Sequence, residues 1–424
     1  MHIIFFSHYY PPEVNAPASR TSENCRAWLN DGHEITVVTC APNHPAGIVY
    51  SGYRNSLWKV EMIDGIRVIR QWTFIAANQG FLLRTLNYLS YLFSVAVTLP
   101  WLPKADVVIS TSPQFFCGLA GLVARRVMGA PWVLEIRDLW PESIVSVGAM
   151  RRGFIVRGLE RLEALAYRCA DRLVAVTDSF VPHIAARGGD PKRIAVVKNG
   201  VDFDLFGDRG DADDLKRELG LEGKFVAAYV GTHGMAHGLE TIFEAAALLQ
   251  DDRRIAFLLV GDGAERAALL RATAERKLQN VVMLGQQPKA AMRRVWRAAD
   301  ASLILLRKNE LFKTVIPSKM FEAMAMRRPI ILGVEGEARA LLEEAGAGIA
   351  IAPESAAELA AAVRRLADDP VLARRLGECG RAHVEAHYDR RVLARRYLDI
   401  LERTVAEHRA HHEAEPEKLT VAAR

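Results

Sequence analysis

The sequence predicts an α/β fold in which a doubly wound parallel sheet is built twice. Three observations predict it. Short apolar runs of strand character alternate with helix-length amphipathic stretches along the chain. The alternation restarts once, after a polar stretch that lacks strand character. The 424 residues, at about 150 per domain, give two or three domains. In order, the strand-like runs of the first half are His2–Phe6, Glu34–Thr39, Val107–Ser110, Trp132–Ile136, Leu173–Val176 and Ile194–Val197. Those of the second half are Phe225–Val230, Ile255–Val260, Val281–Leu284, Ala301–Leu305, Ile330–Leu332 and Gly348–Ile351. The polar stretch Asp202–Gly223 reads as the interdomain crossing, so domains are expected at 1–203 and 204–389. A helical segment follows at 390–409, and the polar tail 410–424, without apolar periodicity, is expected to fray.

Composition bounds the function. Half of the residues are hydrophobic and a quarter are charged, which excludes a disordered or fibrous chain. The five cysteines (Cys25, Cys40, Cys117, Cys169, Cys379) show no CxxC or Cys/His spacing, so neither a disulfide framework nor a zinc site is expected and a reducing compartment is. The opening Met1–Phe6 reads as a strand rather than a signal peptide. The net charge of +5 is unevenly placed: residues 1–200 carry 21 Lys/Arg against 15 Asp/Glu, and the remainder 34 against 35. Such a surplus suits anionic lipid or a phosphorylated acceptor as well as an ordinary solvated face, and no nucleic-acid partner is expected.

One segment departs from the alternation. In Phe81–Pro103, Arg84 is the only charged residue, and Tyr88, Tyr91, Phe93 and Trp101 add aromatic bulk. Asn87, Ser90, Ser94 and Thr98 recur near helical spacing as a polar stripe. Three readings stand: a helix packed in the first domain, a helix seated at a membrane interface, and a membrane span.

In doubly wound sheets ligands sit outside the carboxyl ends of the strands, so the loops after the strands matter most. Ser7–Glu13 holds two prolines and is either a rigid turn or an acceptor contact. Arg137-Asp138-Leu139-Trp140-Pro141-Glu142-Ser143 offers a carboxylate able to steer an acceptor hydroxyl, or a structural Arg–Asp pair. Gly231–Gly238 follows a strand and precedes a helix; its glycines allow close backbone approach, and helix-start amides favour a phosphate. His233 and His237 can donate to that phosphate or cap the turn. Gly261-Asp262-Gly263 is a weak signal that a tight turn explains. In Lys313–Ala325, Pro317 breaks the chain, Ser318 is placed as an N-cap, Lys319 can hold a diphosphate, and Glu322 one turn on can accept both hydroxyls of a ribose.

Taken together, these residues resemble the retaining nucleotide-sugar glycosyltransferases of the GT-B fold, family 4. The resemblance rests on Pro11-Pro12, Gly32–Thr39, Asn199-Gly200-Val201-Asp202, Val260–Gly263, Leu284-Gly285 and Phe321-Glu322-Ala323-Met324-Ala325. The stretches 137–143 and 231–238 further resemble bacterial transferases of N-acetylfucosamine-type sugars in O-antigen and capsule assembly. The resemblance implies two Rossmann-like domains facing across a cleft, and metal-independent transfer of a hexosyl group from a UDP- or GDP-sugar with retention. It implies no cofactor, an acceptor glycan linked to polyprenyl diphosphate, and a peripheral enzyme on the cytoplasmic face of an anionic membrane. Catalytic roles fall to Asp138, Lys319 and His237; donor contacts to Lys198, Gly231, Thr232, His233, Gly285, Thr314, Pro317, Ser318 and Glu322; acceptor contacts to Glu13 and Arg137. Two departures stand out. Thr314 occupies the first position of the family's glutamate pair, and the usual cations of the diphosphate loop are replaced in Gly231-Thr232-(x4)-His237-Gly238, which leaves Lys319, with Lys198 and His237, to neutralise the leaving group. The Asp-x-Asp triplets 202–204 and 211–213 lie in the polar crossing, not in a strand-end loop. An epimerase of the same fold, a phosphorylase and a non-catalytic sugar-nucleotide or lipid-binding module are the competing readings.

Overall fold

The computed structural model describes the chain except for residues 45, 77–80, 147, 149, 208–214 and 422–424, and the side chains of 81, 82, 412 and 414–421. It divides into two compact units, Met1–Lys198 with Arg391–Arg424, and Asn199–Arg390. The first boundary therefore falls five residues before the expected 203/204. The C-terminal helix is part of the first unit rather than a separate element: Trp28 Nε1 donates to the Ala394 carbonyl at 2.9 Å, and Tyr397 packs edge-on against the Trp28 ring.

The first sheet contains β1 (His2–Phe6), β2 (Glu34–Cys40), β3 (Trp58–Ile63), β4 (Ile66–Gln71), β5 (Val107–Thr111), β6 (Trp132–Ile136), β7 (Arg172–Ala175) and β8 (Ile194–Val196). Their order is β3-β4-β2-β1-β5-β6-β7-β8, parallel except for β3 against β4. Helices cover both faces, which is why the central strands read as continuous apolar runs. Ile3, Phe5, Val37 and Val107 face α1 (Ala16–Asn30) and the C-terminal helix. Ile4, Phe6, Val38 and Val108 face α2 (Phe81–Thr98) and α3 (Phe115–Met128). The sequence reading omitted the β3–β4 hairpin, whose turn has Asp64 and Gly65 at φ 51° and 79°. Asp-Gly between alternating apolar residues is a strong signal for such a turn.

The second sheet, β9 (Phe225–Val230), β10 (Ile255–Val260), β11 (Val281–Leu284), β12 (Ala301–Leu305), β13 (Ile330–Gly333) and β14 (Gly348–Ala350), has the order β11-β10-β9-β12-β13-β14 and is wholly parallel. Chain order reverses at β1/β5 in one sheet and at β9/β12 in the other, and crevices form at such switch points.

Two expectations about helices are corrected. The final helix runs from Arg390 through Val421 instead of ending at 409; the Ala and Glu residues of 410–415 favour helix without an apolar face, and Pro416 works against it. Among the described residues no helix is long and apolar enough to cross a membrane. α2 instead divides its faces. Tyr88, Tyr91 and Val95 are buried against the sheet, and the polar stripe is used internally: Asn87 Nδ2 donates to the Phe74 carbonyl at 2.7 Å, and Ser94 Oγ to the Trp72 carbonyl at 2.6 Å. The opposite face leaves Leu86, Leu89, Phe93 and Val97 exposed, followed by Trp101 at 70 % exposure.

Candidate active site

In the second unit, the loops after β9 and β10 are laced together by backbone. The Gly231 N–H donates to the Val260 carbonyl and the His233 N–H to the Asp262 carbonyl, both at 2.9 Å. A Cβ on Gly261 would lie 1.9 Å from the Gly231 carbonyl oxygen, and both glycines are at positive φ, 151° and 144°. Only glycine permits this approach. These two amides are thus used to lace the two loops together.

What Gly231 does present is space. A Cβ there would lie 2.4 Å from Lys319 Nζ, so the missing side chain is the seat of the ammonium. Nζ stands 4.0 Å from the Tyr229 ring centroid, a cation–π contact. Burial pulls Lys319 down to about 7, with Glu322 opposing the shift. His233 and His237 flank the same ring at 6.0 Å. Burial, with the Lys319 charge adding to it, pushes His237 down to about 3 and holds His233 near 4. Both are neutral at pH 7. A neutral imidazole still donates one N–H. Both ring nitrogens of His233 are buried without a hydrogen-bond partner.

Lys319 opens a seven-residue helix, Lys319–Ala325, that starts just after Pro317. Ser318 does not cap it: its backbone is already helical and its hydroxyl makes no capping bond. Glu322 accepts from Trp296 Nε1 at 3.3 Å. Burial raises its pKa, opposed by Trp296, Lys289, Arg390 and Lys319. Thr314 donates its hydroxyl to the Leu311 carbonyl at 2.7 Å, closing its own turn, so only acceptor capacity is left on that oxygen. Thr232 is exposed and its carbonyl accepts from Tyr229 Oη at 2.7 Å. Gly285 has open space around it: a Cβ there would meet nothing nearer than Arg266 Nη2, at 4.0 Å. Lys198 lies in the first unit, with Nζ 2.8 Å from Asp178.

In the first unit, Asp138 follows β6. Burial raises its pKa against hydrogen bonds from Ser143 and the Leu139 N–H. The Arg137 N–H donates to Ser112 Oγ at 2.8 Å. Just upstream, fully buried Glu135 accepts from Arg20 Nε and from Thr111 Oγ1, both at 2.8 Å. Glu13 is 4 % exposed; one carboxylate oxygen accepts the N–H groups of Asn43 and His44 at 2.9 Å each, and the other is buried without a hydrogen-bond partner. Burial pushes it up to about 7.

Four residues near the donor loops were missed by the sequence reading. Tyr229 is the platform for Lys319 and lay hidden as an ordinary strand residue. Arg266 opens the helix after β10 and acts electrostatically on His233. Lys289, pulled down to about 8 by burial, acts on Glu322 from the segment after β11. Arg307, after β12, donates to the Met235 carbonyl at 2.6 Å and fixes the loop after β9. The last three share one signal, a cation closely following a strand. The triplet 211–213 lies outside the described residues, and among those described no group of three or more His, Cys, Asp or Glu is placed to hold a metal.

The arrangement at the carboxyl ends of β9 to β12 is thus two lysines pulled down by burial, neutral imidazoles, two arginines and a carboxylate held by an indole. It suits a diphosphate beside a hydroxylic ligand. Residues 15–200 match the family described as glycosyl transferase 4-like domain, and residues 211–383 the family described as glycosyl transferases group 1. An Escherichia coli (strain K12) protein named as the colanic acid biosynthesis glycosyl transferase WcaI is 25% identical over 378 residues, 86% of this chain and 92% of that one. The 2-deoxystreptamine glucosyltransferase of Streptomyces kanamyceticus is 30% identical over 276 residues, 63% of this chain and 69% of that one. Among solved structures, Anabaena Alr3699/HepE in complex with UDP and glucose superposes with a TM-score of 0.71 at 17% identity, over 94% of this chain and 99% of that one.

Proposed function

We propose, for a chain that belongs to the glycosyltransferases of the 4-like and group 1 families and has the GT-B fold of two Rossmann-like domains, that it moves a glycosyl group from a UDP- or GDP-sugar, with retention, to a hydroxyl of a polyprenyl-diphosphate-linked glycan in surface polysaccharide synthesis. The observation that carries the donor half is the Lys319 ammonium seated in the Gly231 gap on the Tyr229 face. Charge develops on the departing diphosphate, and a fixed cation aimed there stabilises the transition state more than the ground state. Glu322 takes the ribose hydroxyls and Asp138 steers the acceptor hydroxyl. The relative named for colanic acid biosynthesis and the solved relative holding UDP and glucose support the acceptor class and the donor class respectively. The reading assigns no metal or other cofactor.

The sugar is an N-acetylated 6-deoxyhexose in this reading. Thr314 stands where a carboxylate would grip two hydroxyls, and its own hydroxyl hydrogen is already donated to Leu311. Purified protein incubated with UDP- and GDP-sugars, with and without membrane extract, tests the whole. Nucleotide release that depends on extract and is fastest with deoxysugar donors is expected. Acceptor-independent isomerisation would make the protein an epimerase, and binding without release a non-catalytic module.

A membrane-facing side is also proposed. α2, α3 and α4 (Phe154–Cys169) lie side by side in the first unit. Their outer surface exposes the α2 stripe, Val127, Phe154 at 85 %, Ile155, Leu162 and Leu165, beside Arg151, Arg157 and Arg161. The layer of α1 and the C-terminal helix exposes only Val392 among its described large apolar side chains. Aromatic bulk favours the acyl boundary, and each arginine near anionic lipid adds about 1 kcal/mol. The protein is expected to float with phosphatidylglycerol vesicles in low salt and to lose most of that binding in high salt or on replacing Arg151 and Arg157 with glutamate. No flotation in low salt would refute the membrane side.

A further inference from the structure

A second feature of the first unit has no part in the donor chemistry. At the carboxyl ends of β1 and β2, a small socket is bounded by His8, Tyr9, His44, Asn87 and Tyr88, with Arg84 and Ala76 at its edge. Its volume is about 20 Å³, room for one water-sized group. It is built rather than incidental. The rings interlock, His8 edge-on to Tyr9 at 5.0 Å and to Tyr88 at 5.2 Å, and Tyr9 edge-on to His44 at 5.0 Å. His8 is 1 % exposed and Asn87 5 %. Asn87 Nδ2 is fixed on the Phe74 carbonyl, which turns its Oδ1 away. His44 Nδ1 is buried without a hydrogen-bond partner, and the buried His8 and Asn87 side chains face each other, Asn87 acting as a hydrogen-bonding neighbour that opposes the effect of burial on His8. Burial leaves an unpartnered atom seeking a ligand. Burial also drives both imidazoles down to about 4, with the Arg84 charge adding to this at His44, so the socket is neutral at pH 7 and offers donors and acceptors together. That chemistry fits a hydroxyl, not an ion.

The socket has two informative neighbours. Arg84 acts electrostatically on both His44 and Asp138, so one guanidinium links the socket to the candidate acceptor carboxylate. The second neighbour is the exposed apolar stripe. Arg84, Asn87 and Tyr88 lie on one face of α2, and exposed Leu86, Leu89 and Phe93 lie on the opposite face. Socket and stripe are separated by the thickness of a single helix, about 10 Å.

We infer that the His8–His44–Asn87 socket receives one hydroxyl of an acceptor sugar attached directly to a lipid diphosphate, with Arg84 beside that diphosphate. This rests on the proposed acceptor and membrane side. A sugar held one helix diameter from the lipid surface is the first unit of the glycan, not the end of a long one. The reaction therefore stands early in chain assembly, after the class of reaction that joins a sugar phosphate to a lipid phosphate.

The test is binding. Titration calorimetry in detergent would compare two synthetic probes, a phytanyl diphosphate bearing one N-acetylhexosamine and one bearing a trisaccharide that ends in the same sugar. The protein is used whole, as parent, as Ala76→Leu, which fills the socket from its edge without removing a polar group, and as Arg84→Gln, which is exposed and spares the fold. The single-sugar probe is expected to bind at least tenfold tighter than the trisaccharide, and each substitution to weaken it about tenfold while UDP affinity stays as in the parent. Equal or tighter trisaccharide binding, or an unchanged affinity in Ala76→Leu, which would mean that the socket holds only a water, overturns the inference. Loss of UDP binding by the parent protein would instead strike the transferase reading, and the two failures are separate.

Discussion

Replacing Lys319 with alanine is expected to lower turnover about 10²- to 10³-fold, the range found when one fixed donor to a developing anion is removed. The seat is prepared for this group. Gly231 yields the space, Tyr229 lends its face, and no ion pair with a carboxylate uses up the charge among the described residues. Because burial holds Lys319 near 7, donor binding gains a pH dependence whose sign is fixed. The diphosphate favours the protonated amine. Below pH 7 the amine is already charged and affinity is flat; above pH 7 each unit of pH should weaken binding up to tenfold, as a proton must be taken up. Calorimetry of a UDP-sugar, whose diphosphate diester does not titrate in this range, in buffers of differing ionisation enthalpy reads that proton directly. Gly231→Ala should reproduce much of the loss without touching a charge, since its Cβ would lie 2.4 Å from Nζ. A pH-independent affinity, or full turnover by Lys319→Ala, would remove Lys319 from the diphosphate.

How far this was legible in the sequence depends on the range of the cause. The parallel strands announce themselves because helices cover both faces, and runs such as Phe225–Val230 and Ile255–Val260 match their observed bounds. Lys319 and Glu322 were legible through their spacing after Pro317. The capping by Ser318 was not borne out, because propensity ranks residue types and cannot see that the backbone at 318 is already helical. The seat of Lys319 was illegible for a different reason. It needs Tyr229 and Gly231, about ninety residues away in sequence, to meet Lys319 across neighbouring strands, and no local pattern reports that. The neutrality of His237 is likewise a property of burial and of the Lys319 charge, neither of which a sequence displays. Glu13 sits at the strand end where an acceptor contact is expected, and one of its carboxylate oxygens is held by Asn43 and His44 from the segment after another strand, a pairing that no local pattern shows.

The largest stability effect is expected at Arg20. Its guanidinium donates to Glu135 at 2.8 Å and to the carbonyls of Val197 and Lys198 at 2.9 and 3.0 Å, so it ties α1 to β6 and to the end of the first unit's main segment. Removing one partner of a buried ion pair leaves an uncompensated charge and typically costs about 3–5 kcal/mol, whereas replacing both by apolar groups is often close to neutral. Arg20→Met should therefore destabilise the first unit severely, and Arg20→Met with Glu135→Met should recover most of the loss. Urea unfolding of the four proteins in that cycle measures the coupling. The pH dependence follows from Glu135. Burial alone would raise its pKa, but Arg20, Arg137 and Thr111 hold it below the usual carboxylate range. A depressed carboxyl contributes stability that is present above its unfolded pKa and lost as pH falls through the folded value. The parent should thus lose stability on acidification below about pH 4.5, and the doubly substituted protein should lose less. If Arg20→Met melts like the parent, the pair is ornamental and the loop that carries Arg137 and Asp138 is held by something else.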